Sequence, residues 1–420
     1  MRSSPSGSGR RASTFQATEV HGRHLRFPEV PIQHKLRYTD IMNYDELALT
    51  LHAKFKGKIT TALRDNEELT KEKLSAYYTP GVAAVSRAIA DDPLKLSTYT
   101  WTNNLVAVIS DGSAVLGLGD IGPQGSMPVM EGKALLFKHF AGLDSVPITL
   151  DVHTPDEIVQ TVKAIAPSFG AINLEDISAP KCFEIEERLK NELNIPVFHD
   201  DQHGTAIVTL AGLINAMKVV GKNLANTKIV VVGAGSAGTA IIKLLQLYVK
   251  PRILAVDSKG ILSSNRQDLN EEKQLLLQYV DGSVDGTLDD AITDADIFIG
   301  VSKPGVLTKD HIAKMADKPV VFAMANPIPE IMPDEAKTAG VAVMATGRSD
   351  FSNQINNASA FPGVFRGALD NKVQKITDQH KIAAAEAIAN LVEQPTAEHI
   401  VPSVFDERLV PTIANVIQSV

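Results

Sequence analysis

The sequence contains one cysteine, Cys182, among its 420 residues. A single thiol cannot form an intrachain disulfide, and it cannot build a thiolate cluster around zinc or iron. Chains without disulfides are typical of reducing compartments, so this composition indicates a cytoplasmic protein.

Long apolar runs and long basic runs are also missing. No apolar stretch reaches the roughly 18 residues that a membrane span needs, which argues against a membrane protein. The formal net charge of -8 argues against a nucleic-acid partner. The hydrophobic fraction of 44% and the charged fraction of 21% are typical of a globular chain, here long enough for about two domains.

The N-terminal residues have the composition of a segment that cannot pack a core. Residues 1–18 contain three arginines, five serines and no acidic residue. This composition predicts a disordered tail, which we extend over residues 1–27. An organellar transit peptide is the alternative that the same composition leaves open.

Three short apolar runs in the middle of the chain each end in acidic residues. These acids are Asp151, then Glu175 with Asp176, and then Asp200 with Asp201. The runs predict buried parallel strands, whose carboxyl ends form the ligand-binding edge of an open α/β sheet. Strand-end acids are often solvated loop residues or helix caps. Four of them at one edge nevertheless indicate a Mg²⁺ or Mn²⁺ site, because hard cations prefer oxygen ligands.

Two histidines flank the second acidic pair. His199 and His203 are four residues apart, a spacing that can bind zinc on a helix. No third soft ligand accompanies them in the sequence. We therefore interpret both as structural residues that support the acidic site.

A lysine interrupts the apolar face of a predicted helix over residues 128–142. Val129, Leu136 and Phe137 define that face, and Lys133 falls on it. Burial lowers the pKa of an ammonium group, which is how a lysine becomes a usable base near neutrality. The alternative is a lysine whose stem packs on the core while its ammonium reaches solvent.

Two turn signals precede this helix. Thr79 followed by Pro80 predicts a helix start with Thr79 as the N-cap, which would place the Tyr78 hydroxyl near the positive end of a helix dipole. A buried tyrosine with a satisfied hydroxyl is the alternative. Further along, Asp111 and Gly112 lie between two apolar runs and predict a β-hairpin.

A dinucleotide-binding motif follows the acidic stretch. The β-branched run over residues 228–232 leads into the glycine-rich sequence formed by Gly233, Ala234, Gly235, Ser236, Ala237 and Gly238. A helical pattern follows, and Asp257 ends the next predicted strand, at the position that binds the adenosine ribose in Rossmann units. Asp257 favours NAD, because a carboxylate repels the 2′-phosphate of NADP, although Lys259 could offset that repulsion.

The remaining strands continue the βα pattern. Asn326 follows one predicted strand, at the edge where an amide can meet the nicotinamide or the substrate. Asn357 lies in a later loop, and both amides could instead be turn-forming residues. The pattern as a whole predicts an α/β protein of two domains. These are an N-terminal α/β substrate and metal domain (28–202) and a doubly wound Rossmann-type domain (203–420), whose last helices pack back on the body.

In this order, the motifs resemble those of the malic enzymes, in their short bacterial form. The resemblance covers residues 77–366 and rests on Tyr77-Tyr-Thr-Pro-Gly-Val82, Leu116-Gly-Leu-Gly-Asp120, Glu131-Gly-Lys133, Asn173-Leu-Glu-Asp176, Phe198-His-Asp-Asp-Gln-His-Gly-Thr205, Gly233–Gly238, Ala325-Asn-Pro327 and Asn356-Asn357 with Phe361-Pro-Gly363. It implies oxidative decarboxylation of L-malate to pyruvate and CO₂, with NAD or NADP and Mg²⁺ or Mn²⁺, in a homodimer.

The resemblance also implies a role for each site residue. Lys133 matches the general base and Tyr78 the general acid. Glu175, Asp176 and Asp201 match the metal ligands, with Asp200 beside them. The family's amides that touch substrate and nicotinamide correspond to Asn326 and Asn357.

One departure and two alternatives remain open. Longer malic enzymes carry a substrate-binding arginine two residues after the Asp-Gly turn, where this chain has Ala114. A malolactic enzyme would use the same site and release lactate, but malolactic enzymes resemble the long form in length, which argues against that activity. A non-catalytic, dinucleotide-sensing protein on the same scaffold would be expected to lack Lys133, Tyr78 or one of the acids, and none is missing.

Overall fold

The computed structural model describes residues 44–115 and 117–418, so the predicted tail over residues 1–27 lies outside the described residues. The chain divides into two compact units, residues 1–54 and 55–420. Helix α1 (Tyr44–Phe55) is the described part of the first unit and ends at the boundary. All other elements belong to the second unit.

The second unit alternates helices and strands. Its strands are β1 Leu105–Ser110, β2 Asp144–Thr149, β3 Ala171–Leu174, β4 Val197–His199, β5 Lys228–Val232, β6 Arg252–Asp257, β7 Gly260–Ile261, β8 Ile297–Gly300, β9 Val320–Ala323 and β10 Val343–Thr346. Its α-helices are α2 Lys71–Tyr77, α3 Val82–Asp91, α4 Leu96–Tyr99, α5 Gly122–Ala141, α6 Pro155–Ile165, α7 Lys181–Glu192, α8 Asp200–Val220, α9 Ser236–Tyr248, α10 Glu271–Leu276, α11 Leu288–Ile292, α12 Lys309–Ala313, α13 Pro333–Thr338, α14 Phe361–Asp370, α15 Asp378–Asn390 and α16 Leu409–Val416.

The first sheet is parallel throughout and has the strand order β2-β1-β3-β4. Its central strand β1 is fully buried, which explains the unbroken apolar run Leu105–Ile109. The strands that precede the acidic residues therefore point their carboxyl ends to one edge. This confirms the prediction of parallel strands that carry acids at that edge.

The second sheet has the order β10-β9-β8-β5-β6-β7. Five of its strands are parallel, and only the two-residue edge strand β7 runs antiparallel. The order reverses between β5 and β8, which is the switch point where Rossmann sheets bind dinucleotides. The prediction of a doubly wound second domain is confirmed.

Helix α8 connects the two sheets. It begins at Asp200, directly after β4, and packs along α9 and α15 next to the second sheet. The predicted domain boundary at residue 203 thus falls inside a continuous helix. By length and composition α8 could cross a membrane, but 72% of its apolar window is buried within the protein, as in a core helix.

The predicted hairpin at Asp111 and Gly112 is wrong. The strand before it pairs in parallel with β2 and β3, and the loop after it binds the end of β3 instead of turning back. The Asp111 carboxylate accepts the N–H of Ser113 and pairs with Lys181, while the N–H of Ala114 donates to the carbonyl of Asp176 at 3.0 Å. These contacts direct the loop toward the acidic residues.

The predicted N-cap at Thr79 is also wrong. Helix α3 begins at Val82, and Gly81 occupies the cap position without a side-chain bond. The N–H of Val82 instead donates to the carbonyl of Tyr78 at 2.8 Å, so residues 78–81 form a turn between α2 and α3. Backbone carbonyls of the preceding helix thus replace the expected side-chain cap.

Candidate active site

The centre of the candidate site is a cluster of three carboxylates. Glu175, Asp176 and Asp201 each offer an oxygen atom, and these atoms all lie within 4.8 Å of one another. Glu175 and Asp176 are almost fully buried at the carboxyl end of β3. Asp201 lies in the first turn of α8, the helix that follows β4, and β4 is the neighbour of β3 in the sheet.

Local backbone geometry brings the three acids together. Asp176 has a φ of +52°, a left-handed conformation that aspartate tolerates better than most residues. Its N–H then donates to Oδ2 of Asp201 at 2.7 Å. Asn173, on β3, donates its amide to Oε2 of Glu175 at 2.9 Å and so fixes that side chain.

Lys133 lies among these acids. Its Nζ is 2.8 Å from Glu175 and 2.6 Å from Asp200, and it sits 4.3 Å from the ring centroid of Phe361. The side chain is only 7% exposed, so the alternative of an ammonium in solvent does not apply. Helix α5 therefore carries Lys133 into the site, as its position on the apolar face predicted.

The expected lowering of the Lys133 pKa is wrong in this state of the protein. Burial alone lowers the pKa of the ammonium, but the carboxylates of Asp200 and Glu175 outweigh burial and raise it. Burial, together with Asp201 and Asp200, raises the pKa of Glu175 well above its ordinary value, against the opposing charge of Lys133. Neighbouring carboxylates thus raise the pKa of both groups, against burial in Lys133 and together with burial in Glu175.

The donor set fits a hard divalent cation. Three buried or half-buried carboxylates offer oxygen atoms only, and such ligands suit Mg²⁺ or Mn²⁺. Oδ1 of Asp200 is also buried, and it has no hydrogen-bond partner among the described residues. A positive charge in this cluster would relieve the repulsion that raises the pKa of Glu175.

Neither histidine joins the carboxylate cluster as a further ligand. Nε2 of the fully buried His199 lies 3.2 Å from Oδ2 of Asp201, and Asp201 and Cys182 raise the pKa of His199 although burial opposes them. Nε2 of His203 is 2.8 Å from Glu186. His199 thus contacts one of the clustered carboxylates, whereas His203 contacts Glu186 outside the cluster. Sequence reasoning missed the partner Glu186, because it lies on α7 and belongs to no motif.

Tyr78 does not reach this cluster in the described contacts. Its side chain is 68% exposed, and its hydroxyl has no hydrogen bond within the described part of the chain. The neighbouring Tyr77 donates to Asp65 at 2.7 Å, and Arg64 pairs with Asp144 at 3.2 Å. Asp144 begins β2, so these contacts hold the segment near the amino end of the sheet, whereas the acids lie at the carboxyl end.

The two predicted asparagines contact different parts of the chain. A Cβ atom on Gly204, in the first turns of α8, would come within 2.9 Å of Cβ of Asn357 and would collide with Asp200. Asn357 therefore borders the carboxylates. Asn326 is exposed just beyond β9, and a Cβ atom on Gly117 of the first domain would come within 2.7 Å of its carbonyl.

The glycine-rich loop has the geometry of a dinucleotide-binding turn. Gly233 has a φ of +111°, and a Cβ atom on it would meet the carbonyl of Val301. A Cβ atom on Gly238 would collide with the carbonyl of Gly233. A Cβ atom on Gly235 would meet nothing within 4 Å, which leaves open space beside the start of α9 for a pyrophosphate.

Asp257, at the predicted ribose position, is paired with cationic side chains, although Lys259 is not among them. Its oxygens pair with Arg266 at 2.8 Å and with Lys273 at 2.6 Å, and one of them also accepts the N–H of Lys259. The side chain of Lys259 pairs with Asp268 instead. Burial opposes ionisation, but Arg266 and Lys273 lower the pKa of Asp257 to about 2.

Comparison with known proteins agrees with this architecture. The family profile "Malic enzyme, N-terminal domain" matches residues 56–190, and "Malic enzyme, NAD binding domain" matches residues 202–418. The NAD-dependent malic enzyme of Thermotoga maritima has a solved structure that is similar at a TM-score of 0.86, with 49% identity, over 89% of this chain and 99% of that one.

Two curated relatives are similar over comparable lengths. The bifunctional malic/malolactic enzyme of Bacillus subtilis is 52% identical over 90% of this chain and 92% of its own length. The NADP-dependent malic enzyme of Halomonas elongata is 46% identical over 89% of this chain and 92% of its own length. The chain therefore belongs to the malic enzyme family, as its motifs predicted, and its two-domain α/β fold is the family's fold.

Proposed function

We propose that the protein catalyses the oxidative decarboxylation of L-malate to pyruvate and CO₂, with reduction of NAD or NADP. The observation that carries this proposal is the buried contact of Lys133 with Glu175 and Asp200, beside the cluster of Glu175, Asp176 and Asp201. A proton-accepting lysine next to a site for a hard cation suits the oxidation of a 2-hydroxy acid.

Glu175, Asp176 and Asp201 would hold the divalent cation. When bound, the cation would lower the pKa of the malate hydroxyl and polarise the C2 carbonyl of the oxidised product. The Asp176 N–H and the Asn173 amide orient two of these carboxylates before any ligand arrives. The protein therefore supplies a preorganised set of oxygen atoms.

With a divalent cation held among the carboxylates, less net negative charge would act on Lys133, and its pKa would fall from the raised value it has without the cation. The neutral amine would then accept the proton of the malate hydroxyl and later return it to the C2 oxygen. Its two ion pairs hold the ammonium nitrogen at a fixed place among the acids, and the ring of Phe361 closes one side.

Asn357 borders the same space and would bind a substrate oxygen, while Asn326 would contact the substrate or the nicotinamide from the second domain. The loss of CO₂ breaks the bond between C3 and C4 and leaves enolpyruvate. C3 then takes a proton, which we assign to Tyr78, while the C2 hydroxyl gives its proton back to Lys133, and the product is pyruvate.

We further propose that a second copy of the chain supplies Tyr78 in a homodimer. The segment around Tyr78 is held near the amino end of the first sheet, away from the carboxylates. This segment, residues 63–101, also exposes many large apolar side chains, namely Leu63, Leu69, Leu74, Tyr77, Tyr78, Val82, Val85, Leu94, Tyr99 and Trp101. Monomers seldom expose so large an apolar surface, and a two-fold dimer would bury it.

The cofactor choice follows from the ribose-binding position. Asp257 accepts from Arg266, Lys273 and the Lys259 N–H, so its charge is offset and its acceptor sites are largely used. This weakens the expected repulsion of a 2′-phosphate, which was the argument for NAD. We therefore expect turnover with both NAD and NADP.

Malolactic activity is the second candidate, because a relative of similar length carries the name bifunctional malic/malolactic enzyme. The argument from length against this activity is therefore wrong. One assay, with L-malate, Mn²⁺ and either NAD or NADP, distinguishes the two candidate reactions. Reduced cofactor that rises together with pyruvate supports the proposed reaction, and lactate without net reduced cofactor supports the malolactic reaction. No turnover at all would favour the non-catalytic, dinucleotide-sensing protein.

A further inference from the structure

His199 is fully buried at the end of β4, and no step of the proposed reaction uses it. Its Nε2 lies 3.2 Å from Oδ2 of Asp201, the same oxygen that accepts the Asp176 N–H. The contact does not have hydrogen-bond geometry, and Nε2 has no hydrogen-bond partner within the described part of the chain. The nitrogen must nevertheless carry a hydrogen in either protonation state of the ring, because a carboxylate can only accept.

Gln202 orients the imidazole from its other side. The amide nitrogen of Gln202 is 2.6 Å from Nδ1 of His199 and 3.5 Å from Oε2 of Glu186. The Glu186 carboxylate can only accept hydrogen bonds, so the Gln202 atom beside it must be the amide nitrogen. The same nitrogen then donates to Nδ1 of His199 when the imidazole is neutral. Gln202 thereby selects the tautomer whose hydrogen is on Nε2, facing Asp201.

Glu186 anchors the whole arrangement. One of its oxygens accepts the backbone N–H of His199 at 3.0 Å, and Lys190 pairs with it at 2.6 Å. Its other oxygen is 2.8 Å from Nε2 of His203. Glu186, Lys190 and His203 line a pocket of about 650 Å³, and none of the three clustered carboxylates lines it. The anchor is therefore separate from the atoms proposed to react.

We propose that His199 is a positioning residue for Asp201, and that it sets how strongly the carboxylate cluster binds a divalent cation. This inference rests on the proposed metal site. Partners of this kind, which orient a ligand without touching the metal, typically change metal affinity by about 10–100-fold when they are removed. The Glu186–Gln202–His199 chain fixes the ring, and the ring fixes the ligand.

The test is Mn²⁺ binding to the metal-stripped, full-length protein, measured as free Mn²⁺ by electron paramagnetic resonance. We expect His199→Leu to raise the dissociation constant about 10–100-fold. His199→Gln places an amide donor near the former Nε2, so its dissociation constant should stay within about threefold of the wild type. The control His203→Gln keeps a donor for Glu186 and should leave Mn²⁺ binding unchanged.

Four results would overturn the proposal, the last of them by removing the metal site on which it rests. The first is wild-type Mn²⁺ binding by His199→Leu. The second is an equal loss of binding in His199→Leu and His199→Gln with matching falls in melting temperature, which would indicate a merely structural role. If His199→Leu does not fold, Gln202→Met decides: weaker binding supports the proposal, and unchanged binding overturns it. An unchanged dissociation constant in Asp201→Asn would overturn the metal site itself, and the inference with it.

Discussion

The N–H of Asp176 donates a 2.7 Å hydrogen bond to Oδ2 of Asp201. This bond joins the end of β3 to the first turn of α8, and it depends on the left-handed backbone of Asp176. Two residues that are 25 positions apart in the sequence thus place their carboxylates in one cluster. The proposed function depends on this arrangement, because a hard cation needs several oxygen atoms at once.

Replacing Lys133 should affect stability as well as turnover. In Lys133→Ala, Glu175 and Asp200 stay buried but lose the ammonium group that pairs with them. We therefore expect the unfolding free energy of the metal-free protein to fall by about 3–5 kcal/mol. Malate turnover should fall to background. The matched control is Lys138→Ala on the same helix, where the exposed pair with Asp144 is worth less than about 1 kcal/mol. Near-normal turnover in Lys133→Ala would contradict the assignment of the base.

Two glycines of the cofactor loop should respond differently to alanine. Gly235→Ala fits the protein without a clash, so its melting temperature should stay unchanged while its cofactor KM rises, because the methyl group would occupy the pyrophosphate space. Gly238→Ala collides with the carbonyl of Gly233 and should lower the melting temperature. Thermal unfolding and cofactor titration measure both effects. A wild-type cofactor KM in Gly235→Ala would show that the cofactor does not approach this position.

Subunit mixing tests the origin of Tyr78. Tyr78→Phe and Lys133→Ala should each be inactive in decarboxylation, since each lacks one proton-transfer group. If the two residues act from different subunits, a mixed dimer has one intact site, and a random mixture should recover about one quarter of wild-type activity. The mixture is made by co-expression with two affinity tags. Recovery of no activity in purified mixed dimers would place both residues in one subunit.

Acid should reveal the ion pairs of Asp257. The pKa of Asp257 is lowered to about 2 in the folded protein, against an ordinary value near 4, so the pairs stabilise the fold above pH 4 and lose their effect as the pH falls toward 2. Allowing for solvent screening, we expect Asp257→Asn to cost about 1–2 kcal/mol at pH 6 and less at pH 3. Urea unfolding at both pH values measures the difference, and a gap that widens at pH 3 would contradict the prediction.

Most of the fold could be predicted from local patterns. The buried strands β1 and β3, the Rossmann turn and the acids at the strand ends each leave a signal within a few residues. The hairpin at Asp111 was predicted wrongly because the sequence does not show that Lys181, 70 residues away, would bind its carboxylate. Turn propensity is local, and this contact is not.

The same limit applies to the electrostatics of the site. Periodicity placed Lys133 on a buried face, but it could not show that Glu175 and Asp200 would raise the pKa of Lys133. Only Lys259 could be predicted to offset the charge of Asp257, because Arg266 and Lys273 belong to no motif. Charges that come from different elements are visible only when the elements are packed.

Removal and return of the metal test the central claim most directly. The protein is stripped with a chelator, and pyruvate and reduced cofactor are then measured with L-malate as Mn²⁺ is added back. The account predicts that both products disappear together and return together in the wild type and in Asp151→Asn, whose exposed carboxylate lies at the same edge outside the cluster. Asp201→Asn should recover neither at the Mn²⁺ concentration that restores the wild type. Full turnover in the stripped protein, or normal recovery in Asp201→Asn, would contradict the account.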